Sequence, residues 1–308
     1  MKRKVIYSAI VGNYDKIKQP NVIREEYDYI LFSNDISEEQ IGIWKTSPIP
    51  YKNKNKTLIA RWVKTHPHIL LKEYDYSIWI DANVVIASDE FYTIIESLYH
   101  KEISVSSMAH PERDCIYDEG LTVFLYQKEA IEHVLKIITY IKHNGYPQHN
   151  GLCETNCLYR VHNLPDIIRF NEDWWYLISH LSKRDQLSYN YIIWKLQLPL
   201  IYILGKGYCT RNHKAFQYTC HHRETFSAIF EEIVAKGNLS YKIKKIYEKI
   251  IQSKTYSIRE KFYIAQLLFY CKYLKLLIQT KELKYRFSII LTNIKHFFLS
   301  TIQHKHNT

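Results

Sequence analysis

Apolar residues along the first 230 positions fall into short runs that end in polar clusters, the pattern of an α/β chain whose buried strands alternate with amphipathic helices. Residues 5–11 read as a first buried strand that turns at Gly12-Asn13-Tyr14-Asp15. Residues 29–33 predict a second strand, running into Asn34-Asp35. Residues 57–71 predict a helix interrupted at Pro67. Residues 77–80 are the central strand, too short and too rich in β-branched and aromatic side chains for a helix. The pattern then predicts a helix over 89–98, a strand over 103–108, a polar loop over 110–120, a strand over 122–126 and a helix over 128–143. A polar-to-β transition follows at 152–162. Later come a helix opened by Asp185 and running through Leu196, a last strand over 199–204, and a loop over 206–224 rich in His and Arg. Residues 240–303 read as mostly helical and basic.

The chemistry of these junctions starts at the end of the central strand, where Asp81 and Asn83 follow Trp79 and Ile80. Two residues apart on an extended chain their side chains point the same way, so both oxygens can converge on a hard cation such as Mg²⁺ or Mn²⁺ that bridges a diphosphate. The plainer reading makes Asp81 a turn cap and Asn83 a loop residue. Asp15 and Asp35 carry the same pair of readings, turn chemistry or contacts to a base or ribose. Arg61 and Lys64 lie three apart on one helical face, facing either a pyrophosphate or solvent. Asp185 is a good helix cap, a role compatible with a catalytic one. Trp174 and Trp175 are either core or an apolar platform for a ring.

Composition narrows the class. The 308 residues hold few Gly or Pro and many aromatics, so the chain is globular, with room for one large domain and an appendage. The net charge of +11 is concentrated at the end: residues 231–308 carry 13 Lys and 2 Arg against 5 Glu. A boundary is expected at 235–238, giving a first domain over 1–235 and a basic helical segment over 236–308 that either packs on the domain or docks on anionic lipid. The near-neutral first part and the lack of a recognised module argue against nucleic acid as partner. Neither a cleavable signal nor a membrane-spanning run is visible, which places the chain in the cytoplasm, with peripheral attachment to the inner membrane face as an option. The six cysteines, at 115, 153, 157, 209, 220 and 271, follow no CxxC pairing and are read as free thiols.

Taken in order, the stretches 7–15, Arg61-x-x-Lys64, Ser77-Ile78-Trp79-Ile80-Asp81-Ala82-Asn83, 110–119, Glu154-Thr155-Asn156 and Arg184-Asp185-Gln186-Leu187-Ser188 resemble one family. It is the glycosyltransferase-like family of plant turgor-regulation and seed-mucilage proteins with bacterial polysaccharide-locus relatives. A looser likeness runs to glycogenin-type retaining enzymes. Both imply a GT-A fold, a Rossmann-like mixed sheet flanked by helices, which binds a nucleotide sugar, here with a UDP-sugar favoured and a glycan or lipid-linked glycan as acceptor.

Carried over by position, the likeness implies that Gly12, Asn13, Asp15 and Asp35 line the nucleotide pocket and that Arg61 and Lys64 approach the phosphates. Asp81 and Asn83 face the metal, Mn²⁺ or Mg²⁺, with His213, His221 or His222 completing its ligands and His222 favoured. Asn83 departs from the Asp-x-Asp pattern, and a neutral amide holds such an ion less tightly. Glu154 and Asn156 bind sugar hydroxyls; Asp185 and Gln186 sit by the anomeric carbon, a pair that points to retention. Glu119 or Asp114 holds or deprotonates the acceptor hydroxyl. Two other classes compete: a metal-dependent hydrolase of ceramidase type, and a non-enzymatic polyanion-binding protein.

Overall fold

The structure, a computed structural model, describes residues 3–126, 128–219, 260–262 and 264. The chain divides into two compact units, 1–120 with 132–224, and 121–131 with 225–308. In the second unit, Phe124 stacks on Phe262 with ring centroids 5.7 Å apart. The expected boundary at 235–238 and all of the basic segment except residues 260–262 and 264 lie outside the described residues.

The first unit is built on a seven-stranded mixed sheet. Its strands are β1 (Lys4–Ala9), β2 (Tyr27–Phe32), β3 (Gln40–Ile41), β4 (Trp44–Ser47), β5 (Tyr76–Ile80), β7 (Val105–Ala109) and β8 (Cys153–Arg160), in the order β3-β4-β2-β1-β5-β8-β7. β1 runs parallel to β2 and β5, and β2 to β4, whereas β8 is antiparallel to both β5 and β7. β6 (Val84–Ile86) and β9 (Phe216–Tyr218) form a separate antiparallel pair. Every residue of β5 and β8 is buried, which requires cover on both faces and explains why these strands read as continuous rather than alternating runs. The cover comes from α1 (Lys56–Thr65), α2 (Pro67–Leu70), α3 (Glu90–His100), α4 (Ile116–Leu125), α5 (Ile131–His143), α6 (Pro165–His180) and α7 (Gln186–Lys195). This is the Rossmann-like sheet of the GT-A class.

Local chemistry sets the helix ends. Asn55 caps α1 by accepting from Thr57 N–H at 3.0 Å. His66 precedes Pro67, which disfavours helical backbone at His66 and separates α1 from α2. Three sequence expectations are corrected. Residues 122–125 continue α4 and Tyr126 turns out of it, instead of 122–126 forming a strand, because a short apolar run is ambiguous in period and this one adjoins Ile116 and Glu119, both buried on the same helix. Gly120 lets α4 approach α5 closely: a Cβ there would meet Ile138 at 2.9 Å. The polar loop accordingly ends at Cys115. Residues 199–204 make only one bridge, Tyr202 with Ser107 at the β7 edge, beginning from a proline that donates nothing to a ladder. Helix α6, by contrast, was not foreseen as an element.

One buried cation ties the layers. Arg160, at the end of β8, is fully buried and donates to Asn171 Oδ1 of α6 at 2.8 Å, to the Lys64 carbonyl of α1 at 2.7 Å and to the Tyr7 hydroxyl of β1. Tyr7 in turn donates to the Lys64 carbonyl at 3.0 Å. Burial pushes the Tyr7 phenol up to about 12, with Arg160 pulling the other way, so it stays a neutral donor. Charge-assisted bonds to neutral oxygens stabilise the guanidinium where water is excluded. Replacing Arg160 with Ala strands these acceptors and opens a cavity, so chemical denaturation should show a loss of about 3–5 kcal/mol. A loss below about 1 kcal/mol would remove Arg160 from this role.

Candidate functional site

The parallel strands β1 and β5 deliver Gly12 and Asp81 at their carboxyl ends, and the last turn of α1 brings Lys64 beside them. Lys64 and Asp185 are both 1% exposed. The Lys64 Nζ lies 2.7 Å from Asp185 Oδ2 and 3.6 Å from Asp81 Oδ1, and sits over the Trp79 ring. Asp185 receives two more groups: the Thr155 hydroxyl donates to Oδ2 at 2.8 Å, and Arg61 Nη2 stands 3.2 Å from Oδ1. Trp174 Nε1 donates to the Asp185 carbonyl at 3.1 Å, a core position that also anchors this residue. Asp185 precedes α7 in the cap position, yet its side chain makes no capping bond because these partners occupy it.

Burial opposes ionisation of Asp185, but Arg61, Lys64 and Arg184 outweigh it and hold the carboxyl well below the usual carboxylate range.

Asp81 and Asn83 each have a hydrogen-bond partner of their own. The chain turns between them, with Val84 N–H donating to the Asp81 carbonyl at 2.9 Å. Asp81 Oδ1 accepts from Trp79 Nε1 at 2.6 Å, and Asn83 Nδ2 donates to the Thr219 carbonyl at 3.0 Å. The fit to a divalent ion shared by this pair is therefore poor: its single carboxylate already faces an indole N–H and an ammonium. Glu154 and Asn156, on β8, are both buried. Glu154 is paired with Arg211; burial raises its pKa while Arg211 pulls it down. Asn156 Nδ2 donates to Thr210 Oγ1 at 2.8 Å, and its buried Oδ1 has no hydrogen-bond partner among the described residues.

The cations around Asp185 extend towards the first loop. The Tyr14 phenol is raised chiefly by burial and is opposed by Arg184 and Arg61, which places both guanidiniums within electrostatic reach of its ring. The Nε donors of Arg61 and Arg184 are buried and have no hydrogen-bond partner among the described residues. A buried donor left unmatched costs about 1–3 kcal/mol, which an anionic oxygen would recover. Gly12 has φ +74°, and a Cβ there would strike Lys56 Cδ at 2.4 Å; its N–H donates to Asp35 Oδ2. Asn13 shares the left-handed conformation at φ 52°. Asp15 is nearly buried, and its Oδ1 accepts from Lys16 N–H at 3.1 Å.

The other residues singled out from the sequence have contacts of their own. Glu119 is buried and accepts from Arg113 Nε at 2.7 Å, although its charge is felt at Glu154. Gln186 Nε2 reaches the Cys153 carbonyl at 3.4 Å. His213 Nδ1 accepts from Ala215 N–H at 3.2 Å; His221 and His222 lie outside the described residues. Trp175 packs edge-on against Tyr51 and His66. An open cavity of about 590 Å³, lined in part by Asn190, Trp194 and Gln197, lies towards the far end of α7 and includes none of the charged residues around Asp185. Arg160, Thr155 and Arg211 were not assigned roles from sequence, since nothing local to them marks a distant partner.

The depressed pKa of Asp185 makes folding pH-dependent. The unfolded carboxyl titrates at 3.8, so the unfolded state binds more protons below about pH 4 and stability falls there, towards the lower pKa of the folded state. Denaturation across pH 2–6 should show a shallower acid loss for Asp185→Asn than for the wild type; parallel curves would refute the pairing.

Comparison with known proteins agrees with this geometry. The chain is similar to a curated protein of Arabidopsis thaliana named alkaline ceramidase TOD1, at 23% identity over 61% of this chain and 47% of the relative. It thus spans about half the length of that relative. A family model, the TOD1/MUCI70 glycosyltransferase-like domain, matches residues 1–222, which include every element of the mixed sheet and the whole charged cluster around Asp185. The chain belongs to the TOD1/MUCI70 glycosyltransferase-like domain family.

Proposed function

We propose that this chain transfers a sugar from a nucleoside-diphosphate donor, a UDP-sugar in the favoured case, to a hydroxyl of a surface glycan. The observation that carries the reading is the pair of buried Nε donors of Arg61 and Arg184, unmatched among the described residues, in the charged cluster around Asp185. The diphosphate meets these arginines, which stabilise the negative charge that develops as the glycosidic bond breaks. Gly12 and Asn13 let the backbone approach the nucleotide, and Asp35, at the end of the neighbouring strand, receives the ribose. With Asn83 hydrogen-bonded to Thr219, the leaving-group charge falls to the fixed cations.

Asp185 is a poor base because its carboxyl is held low and ion-paired. It serves as a fixed negative charge beside the positive anomeric carbon of the transition state. Glu154 and Asn156 offer hydrogen bonds to sugar hydroxyls from the adjoining strand, the unmatched Asn156 Oδ1 as an acceptor. Glu119 is the acceptor-side carboxylate, and the Asp185-Gln186 pair favours retention of configuration.

The printed name of the Arabidopsis relative favours a second reading, hydrolysis of a lipid amide. Release of nucleoside diphosphate from a panel of nucleotide sugars, run beside lipid-amide cleavage, separates the two.

Binding is tested first. A nucleoside diphosphate should raise the melting temperature of the wild type, and Arg184→Ala should weaken that binding about tenfold or more, the equivalent of one charge-assisted hydrogen bond. Asp185→Asn, once shown to be folded, should bind diphosphate yet transfer about a hundredfold more slowly. No thermal shift from any nucleoside diphosphate, or full transfer by Asp185→Asn, would overturn the assignment.

A further inference from the structure

A second cluster of reactive side chains stands outside this machinery. Cys115, Asp118 and His149 bring a thiol, a carboxylate and an imidazole within 4.8 Å of one another. Cys115 is buried at the start of α4, Asp118 is half-buried on its first turn, and His149 is exposed on the turn between α5 and β8. Backbone N–H groups of His149, Asp118 and Tyr117 point at the Cys115 sulfur. His149 holds φ 53°, a left-handed conformation uncommon for a residue with a Cβ, and its Nδ1 is bonded to Asp114 Oδ1 at 2.8 Å.

We propose that Cys115, Asp118 and His149 form a zinc site that ties the 144–151 turn to the start of α4. The donor set selects the ion. Thiolate and imidazole suit a borderline-soft cation, whereas Mg²⁺ and Mn²⁺ favour all-oxygen sites, so this centre is chemically distinct from a diphosphate-bridging ion. The Asp114 carboxylate completes the usual outer layer: with Nδ1 donating to it, the ring offers Nε2 to the metal, as in carboxylate–histidine–zinc arrangements. Three protein donors among the described residues leave one tetrahedral position for a further ligand.

The test uses the full chain. After dialysis against Zn²⁺ and desalting, atomic emission should find a bound zinc, and Co²⁺ in its place should give a thiolate-to-metal charge-transfer band. Cys115→Ser should abolish that band. His149→Ala, an exposed position whose replacement leaves the fold measurable by circular dichroism, should weaken zinc binding at least about tenfold, and Asp114→Asn about tenfold. Failure of the wild type to take up zinc overturns the proposal. So does a cobalt band that persists in Cys115→Ser, which would place the ion on another of the six cysteines.

Discussion

The buried pairing of Lys64 with Asp185 is the constraint on which the rest of this protein turns. Two opposite charges withdrawn from water must stay together, since separating them would leave each uncompensated in the interior. That requirement couples the end of α1 to the start of α7, 121 residues later in the chain. The same lysine offers its backbone carbonyl to Arg160 and Tyr7, so one residue joins the strand layer to the charged cluster through both its side chain and its main chain.

The arrangement concentrates positive charge around Asp185, at the carboxyl ends of the parallel strands. Arg61 and Lys64 are balanced by Asp185, and Arg211 by Glu154, while the Nε groups of Arg61 and Arg184 remain unmatched among the described residues. Fixed donors of this kind are already oriented before charge develops, which is the physical basis of electrostatic catalysis. The family model covers the whole of this region.

Much of this was legible in the residues. Buried strands announce themselves by continuous β-branched and aromatic runs, so β1, β2, β5 and β7 fall close to where the pattern puts them. Pro67 marks the break between α1 and α2 because proline restricts the residue before it. The run at 122–126 misled because its composition suits either element, and only its packing decides. Asp185 shows the same limit at a single residue: its place before α7 is written in the sequence, while its engagement by Lys64, Arg61 and Thr155 is not.

The sequence by itself determined the places of β1, β2, β5 and β7, the break at Pro67 and the family likeness, because periodicity, propensity and turn chemistry act over a few residues. Only the tertiary structure decided which of those ends meet. Arg160 takes its partners from three different elements, Asn83 donates to the Thr219 carbonyl, and His149 comes within 4.8 Å of Cys115. Each of these is a contact between residues far apart in the chain, fixed by how the sheet is ordered and how its helices lie across it, which no local pattern encodes.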